Sequence, residues 1–180
     1  MTKEDMQIMA EHGLAVIANP ASNVKLASGI APISRMERMG IDIAIGTDGA
    51  ASNNCLDMFR EMFLMTGLQK LYEEDAAALD ADRVLHMAIV GGAKVLGLND
   101  CDYIAQGKQA DLVLIDLHRP NMQPENHLTK NLVYSGSKEN VKLTMVAGKV
   151  LYREHQFCIG CAQEEIYRRA NEIIDRMKQV

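Results

Sequence analysis

Two apolar runs, Leu14-Ala15-Val16-Ile17-Ala18 and Ile41-Asp42-Ile43-Ala44-Ile45, flank a stretch that breaks at Pro20 and turns helical from about Pro32 to Met39 before Gly40. Short runs of this kind, bounded by turn residues, read as buried strands. Two strands joined through a helix make a parallel βαβ unit, right-handed by strong preference. This pattern limits the fold to an α/β assembly whose chemistry lies beyond the carboxyl ends of its strands. Asn19-Pro20-Ala21-Ser22-Asn23 follows the first run as a turn, because Pro20 holds its predecessor extended and Asn and Ser favour turns.

The second run delivers Gly46-Thr47-Asp48-Gly49-Ala50-Ala51-Ser52 to that same face, so Asn19, Ser22, Asn23, Thr47, Asp48 and Ser52 are expected to converge. Asp48 is the residue to explain. Asp-Gly is also a common turn pair, and on spacing alone a capped turn and a functional carboxylate stand level. His12 cannot join it as a ligand, since it precedes its strand and lies roughly 17 Å away at about 3.3 Å per residue.

Around this unit the helical periods are clear. Residues 2–11 read as a helix with Thr2 and Asp5 at capping positions, ended by Gly13. Residues 56–74 carry Met58, Met62 and Met65 at helical spacing, which is a core stripe of adaptable side chains. Asp80 caps a further helix through Leu96, whose alanines and glycines suit close packing; His86 within it has no second ligand at i+4. From Asn99 onward the texture is of short strands: residues 103–105, 111–116, 132–134, 141–146 and, after the turn Ala147-Gly148-Lys149, 150–152. Residues 118–130 read as a surface connection. The apolar face of a closing helix, Ile166, Ala170, Ile173, Ile174 and Met177, is expected to dock.

Composition narrows the function classes. A chain of 180 residues with 48% hydrophobic and 24% charged content supports a core without staples. A net charge of −5 argues against a phosphate-tracking surface, so nucleic acid is excluded as a partner. The polar start and the lack of a long apolar run exclude a membrane span and point to a cytoplasmic location, and the four cysteines fit reduced thiols. His155, Cys158 and Cys161 have the spacing of half a zinc site, but a structural zinc takes four ligands and no second pair exists.

Four segments in order carry a resemblance. Asn19-Pro20-Ala21-Ser22-Asn23-Val24-Lys25-Leu26-Ala27-Ser28-Gly29-Ile30-Ala31-Pro32 is the first, and Gly46 through Asn54 with Leu56-Asp57-Met58-Phe59 is the second. Gln106-Gly107-Lys108-Gln109-Ala110-Asp111-Leu112-Val113-Leu114-Ile115-Asp116 and Val146-Ala147-Gly148-Lys149-Val150 complete the set. Together they resemble the amidohydrolase superfamily, and within it the 5-methylthioadenosine/S-adenosylhomocysteine deaminases and their chlorohydrolase relatives.

The resemblance implies the carboxyl-terminal part of a distorted TIM (βα)8 barrel over residues 1–98. Residues 99–180 would be part of a small β-sandwich with its closing helix. It further implies that Asp48 binds one divalent metal, zinc by preference, and handles protons for a metal-activated hydroxide attacking an aminopurine. Thr47, Gly49 and Ser52 would shape the loop over a purine nucleoside-like substrate, with Asn19, Ser22 and Asn23 in substrate-facing roles.

The family's His-x-His pair, further His ligands and catalytic Glu lie upstream of the segment that Met1 resembles, so the chain reads as a carboxyl-terminal half. It is not expected to hold zinc tightly or to deaminate by itself. Ala18 replaces a frequent His, and Cys55 a frequent acid. A guanine or triazine aminohydrolase is the alternative within the class. A non-catalytic binding or scaffold module is the alternative outside it, and association with a missing amino-terminal half or a second copy is expected at an unclosed sheet edge.

Overall fold

The computed structural model describes residues 1–178 as two compact units, the first formed by Met1–Lys108 with Leu117–Asn140, the second by Gln109–Asp116 with the chain from Val141. A single cut at residue 98 therefore does not separate them. Residues 117–140 return to the first unit because their helix packs on two helices there.

In the first unit, β1 (Ala15–Ala18) and β2 (Asp42–Ile45) pair in parallel, Ala15 opposite Asp42 and Ala18 opposite Ile45. The pairing runs on through Gly46, whose N–H donates to the Ala18 carbonyl at 2.9 Å. Helix α1 (Lys3–Glu11) opens on a reciprocal cap: the Asp5 N–H donates to Thr2 Oγ1 and the Thr2 N–H to Asp5 Oδ2. Between the strands lie α2 (Pro20–Lys25) and α3 (Ile33–Arg38). The turn expected at residues 19–23 is thus a helix start. Pro20 occupies its first turn, where the missing N–H costs no hydrogen bond and the fixed φ suits a helix.

Helix α4 (Met58–Glu73) buries Met62 and Met65 as its stripe requires, with Met58 at the edge of the core. Asp80 caps α5 (Ala81–His86), which passes through five π-helical residues, Met87–Gly91, into α6 (Gly92–Val95). At Gly91 this segment touches the sheet: a Cβ there would stand 2.2 Å from the Ile43 carbonyl oxygen. The core is rich in thioethers, with Met6, Met36, Met62, Met65 and Met87 around Ile33, Ile43, Ile45, Val84 and Val133; Met122 is buried as well.

Three expectations for the strands fail. Of residues 14–18, Ala15–Ala18 form a strand, but only Ala18 is buried and Ile17 is 48% exposed, because among the described residues β1 has a strand neighbour on one side alone. Residues 103–105 are irregular: Ile104 is exposed, and the Tyr103 ring lies under Lys108 Nζ, whose ammonium also pairs with Asp102. Residues 132–134 belong to α7 (Leu128–Ser135), where burying Val133 against α4 and α5 outweighs a local preference for strand.

The second unit is one antiparallel sheet in the order β3 (Leu112–Ile115), β4 (Val141–Val146), β5 (Lys149–Arg153) and β6 (Gln156–Phe157). Gly148, at φ +76°, makes the tight turn from β4 to β5. Helix α8 (Gln163–Met177) has the expected apolar face, yet Ile166, Ile173, Ile174 and Met177 on it are all exposed.

Candidate active site

Because β1 and β2 run in parallel and in register, the loops that follow them leave from the same end of the sheet. The approach is close: a Cβ on Gly46 would lie 2.6 Å from Asn19 Oδ1 and 2.9 Å from Ile17 Cγ2, so those side chains would have to shift to admit one. Asp48 then turns into the left-handed region at φ +59°, a conformation Asp tolerates better than most residues, and its side chain is exposed.

Three donors face that carboxylate. Ser22 Oγ, on α2 and buried, donates to Oδ2 at 2.7 Å, and the Gly49 N–H donates to Oδ1 at 2.7 Å. The Ser52 hydroxyl also hydrogen-bonds Asp48 and lies 3.1 Å from the Gly49 carbonyl, and its single proton serves one of them at a time. The Ser22 hydrogen bond, followed by those of Ser52 and Gly49, holds the Asp48 carboxyl below its ordinary 3.8, against a small opposing effect of desolvation. At neutral pH Asp48 is an ionised acceptor facing solvent.

Of the residues expected to converge from the strand order, Ser22 and Ser52 meet Asp48, and the Gly49 N–H joins them. Thr47 joins through the backbone, its hydroxyl 3.2 Å from the Asp48 carbonyl. Asn19 packs at Gly46, and Asn23 lines a small cleft with Ala18, Ile30 and Gln69. Lys25 ties α2 to the second loop, donating to the Ala51 carbonyl and to Asn54 Oδ1, both at 2.7 Å.

The histidines stay apart from this group. His12 caps the end of α1 with its ring 2.9 Å from the Ile8 carbonyl, and His86 is exposed on α5. His86 borders a cleft at the start of β2, the end opposite Asp48, where Arg83 is paired with Glu37 and Lys94 with Asp42. Cys158 and Cys161 are exposed, and no disulfide joins any of the four cysteines among the described residues.

Sequence reasoning missed Glu61. It is completely buried on α4, where Oε2 accepts from the Ala21 N–H at 2.9 Å and Oε1 from Asn53 Nδ2 at 2.6 Å. Asn53 Nδ2 also donates to the Thr47 carbonyl at 2.8 Å. The available signal was an acid inside the apolar stripe, three residues after Met58 and four before Met65.

Comparison with known proteins follows the same lines. The fold matches that of an adenosine deaminase from Xanthomonas campestris solved with bound zinc, at TM-score 0.95 and 39% identity over 100% of this chain and 41% of that one. A triazine hydrolase variant matches at TM-score 0.86 and 25% identity, over 97% of this chain and 38% of its own. These likenesses define a mixed α/β protein with the fold shared by that deaminase and that hydrolase.

A family model described as the amidohydrolase family matches residues 1–151, and the chain belongs to that family. The 5-methylthioadenosine/S-adenosylhomocysteine deaminase of Thermococcus onnurineus is 44% identical over 156 residues, covering 87% of this chain and 37% of its own length. The chain thus spans about two fifths of the length of the relatives it matches.

A catalytic zinc takes three protein ligands and a water. Around Asp48 stand two hydroxyls and an amide, which are donors to a carboxylate rather than ligands, and no group of three or more His, Cys, Asp or Glu fit to hold a metal occurs among the described residues. These residues alone do not fit the ion.

Proposed function

We propose that this chain is the carboxyl-terminal portion of a metal-dependent aminohydrolase acting on adenosine-type substrates such as 5-methylthioadenosine or S-adenosylhomocysteine. In this reading the first unit is part of a distorted eight-stranded βα barrel and the second is part of a β-sandwich. One observation carries the proposal. An exposed, ionised carboxylate stands beyond the carboxyl ends of two parallel strands, fixed by donors from both following loops. Nothing in a mere turn requires the buried Ser22 to reach across from another helix.

Asp48 is the residue we assign to proton handling and, together with imidazole donors from outside the described residues, to metal ligation. What this chain does is hold the carboxylate open to solvent and oriented, with Thr47, Gly49 and Ser52 forming the rim toward substrate and Asn19, Ser22 and Asn23 supporting the adjoining loop. The adenosine reading ranks above a triazine or guanine substrate because identity to the adenosine-acting relatives is 44% and 39%, against 25% to the triazine hydrolase.

The test is a chimera that joins the amino-terminal part of the Thermococcus onnurineus relative to this chain. The chimera should release ammonia from 5-methylthioadenosine with added Zn²⁺, and Asp48→Asn should lower turnover by about 10²–10⁴-fold, the range of a lost proton-transfer group. The isolated chain should release none. Full turnover by the Asp48→Asn chimera removes the proposed role, and preference for a triazine over the nucleoside in a substrate panel replaces the substrate class.

A further inference from the structure

We propose that Glu61 is a positioning residue that locks the loops after β1 and β2 to each other, so that Ser22 stays in contact with Asp48. Its functional meaning rests on the reading of Asp48 given above; its geometry does not.

The contacts close a ring. Ser22 Oγ binds the Asp48 carboxylate at 2.7 Å, and the next residue back, Ala21, donates its N–H to Glu61 Oε2 at 2.9 Å. Glu61 Oε1 accepts from Asn53 Nδ2 at 2.6 Å, and the same amine donates to the Thr47 carbonyl at 2.8 Å. Thr47 is covalently next to Asp48. The path starts and ends on one carboxylate, and its buried part runs through Glu61 and Asn53, while the exposed Lys25 makes a separate tie to the Ala51 carbonyl and Asn54 Oδ1.

The chemistry of each member fixes its orientation. Both Asn53 amine protons are committed, one to Glu61 and one to Thr47, while its Oδ1 accepts from the Cys55 N–H at 3.2 Å. Rotating the amide by half a turn would set its oxygen against the oxygens of Glu61 and Thr47. Glu61 in turn is the one side chain on this stretch of α4 that offers two acceptors. A methionine there would match Met58, Met62 and Met65 in character but leave the Ala21 and Asn53 donors buried without partners. A carboxyl group with no exposed surface, set where the helix otherwise packs thioethers, is thus explained by the two loops it joins rather than by the core.

Glu61→Gln keeps the shape and turns one acceptor into a donor, so one of the two links must face an N–H with an N–H. Amide hydrogen exchange followed by NMR on the whole chain tests the proposal without any turnover, and so independently of the deaminase reading. In Glu61→Gln the amides of Ala21, Gly49 and Asn53 should exchange at least about tenfold faster. Those of Met36 in α3 and Val84 in α5 should change by less than about twofold. A uniform rise at all five amides would make Glu61 a general stabiliser and overturn the proposal. So would a rise at Ala21 with Gly49 and Asn53 unmoved, or no change at all. If Glu61→Gln does not fold, Asn53→Ala cuts the ring on the other side: Gly49 should exchange faster with Ala21 unchanged, and an unmoved Gly49 overturns the proposal.

Discussion

Replacing Gly91 by alanine is expected to be among the most damaging single-methyl changes available in the first unit. The added Cβ would stand 2.2 Å from the Ile43 carbonyl oxygen and 3.3 Å from its carbon, roughly 1 Å inside ordinary van der Waals contact. Both atoms belong to the backbone of β2, so no rotamer change relieves the overlap. The π-helical segment must move off the sheet by about that distance. A gap of 0.5–1 Å forfeits a quarter to a half of each dispersion contact across the seam, which includes the buried Met87 of the π-helical segment. The sum is on the order of 3 kcal/mol, at the upper end for overpacking. For a unit of this size that corresponds to a Tm lower by roughly 10 °C.

Gly92 supplies the control, because a Cβ there meets nothing within 4 Å and lies in helical backbone. Gly92→Ala should hold or raise the Tm, as alanine is the better helix former by up to about 1 kcal/mol. Thermal unfolding of the two variants followed by far-UV circular dichroism decides the matter. Equal Tm values for Gly91→Ala and Gly92→Ala would show that the seam yields without cost and would refute the reasoning.

Two further outcomes follow from the geometry. Met65→Ala removes a side chain that is 2% exposed in the core and should cost about 2–5 kcal/mol in urea denaturation, whereas removing the exposed Lys94–Asp42 pair with Lys94→Ala should cost less than about 1 kcal/mol. Asp48 titrates below 3.8 in the folded chain, so its contribution to stability is present above that pH and is lost as pH falls through the lowered value; Ser22→Ala should return the Asp48 midpoint toward 3.8 in a carboxyl ¹³C NMR titration, and an unmoved midpoint would contradict the assigned cause.

What could be read from the chain beforehand was whatever depended on neighbours in sequence. The two strands, the Thr2 cap with Asp5, the Asp80 cap and the methionine stripe on α4 all rest on contacts within one turn or one alternation, and the structure has them. Asp48 was legible for the same reason, since a carboxylate just past a strand needs no distant partner to be noticed. Glu61 was not, because its meaning lies in Ala21, 40 residues earlier, and in a side-chain amide on a loop. Residues 132–134 were misread because Leu-Val-Tyr satisfies a strand as well as a helix, and only the packing of Val133 on α4 and α5 separates the two. The exposure of Ile17 depends on what lies on the far side of β1, which no local pattern encodes.

The abundance of sulfur in the interior carries a chemical liability. Met6, Met36, Met62, Met65, Met87 and Met122 are each at most 5% exposed, so peroxide reaches them only when the fold opens. Once one is converted to its sulfoxide, a polar oxygen must be housed where no donor waits, and reclosure is disfavoured. Opening followed by oxidation therefore works as a ratchet, and the rate at which these thioethers gain oxygen is a clock for how often the first unit breathes.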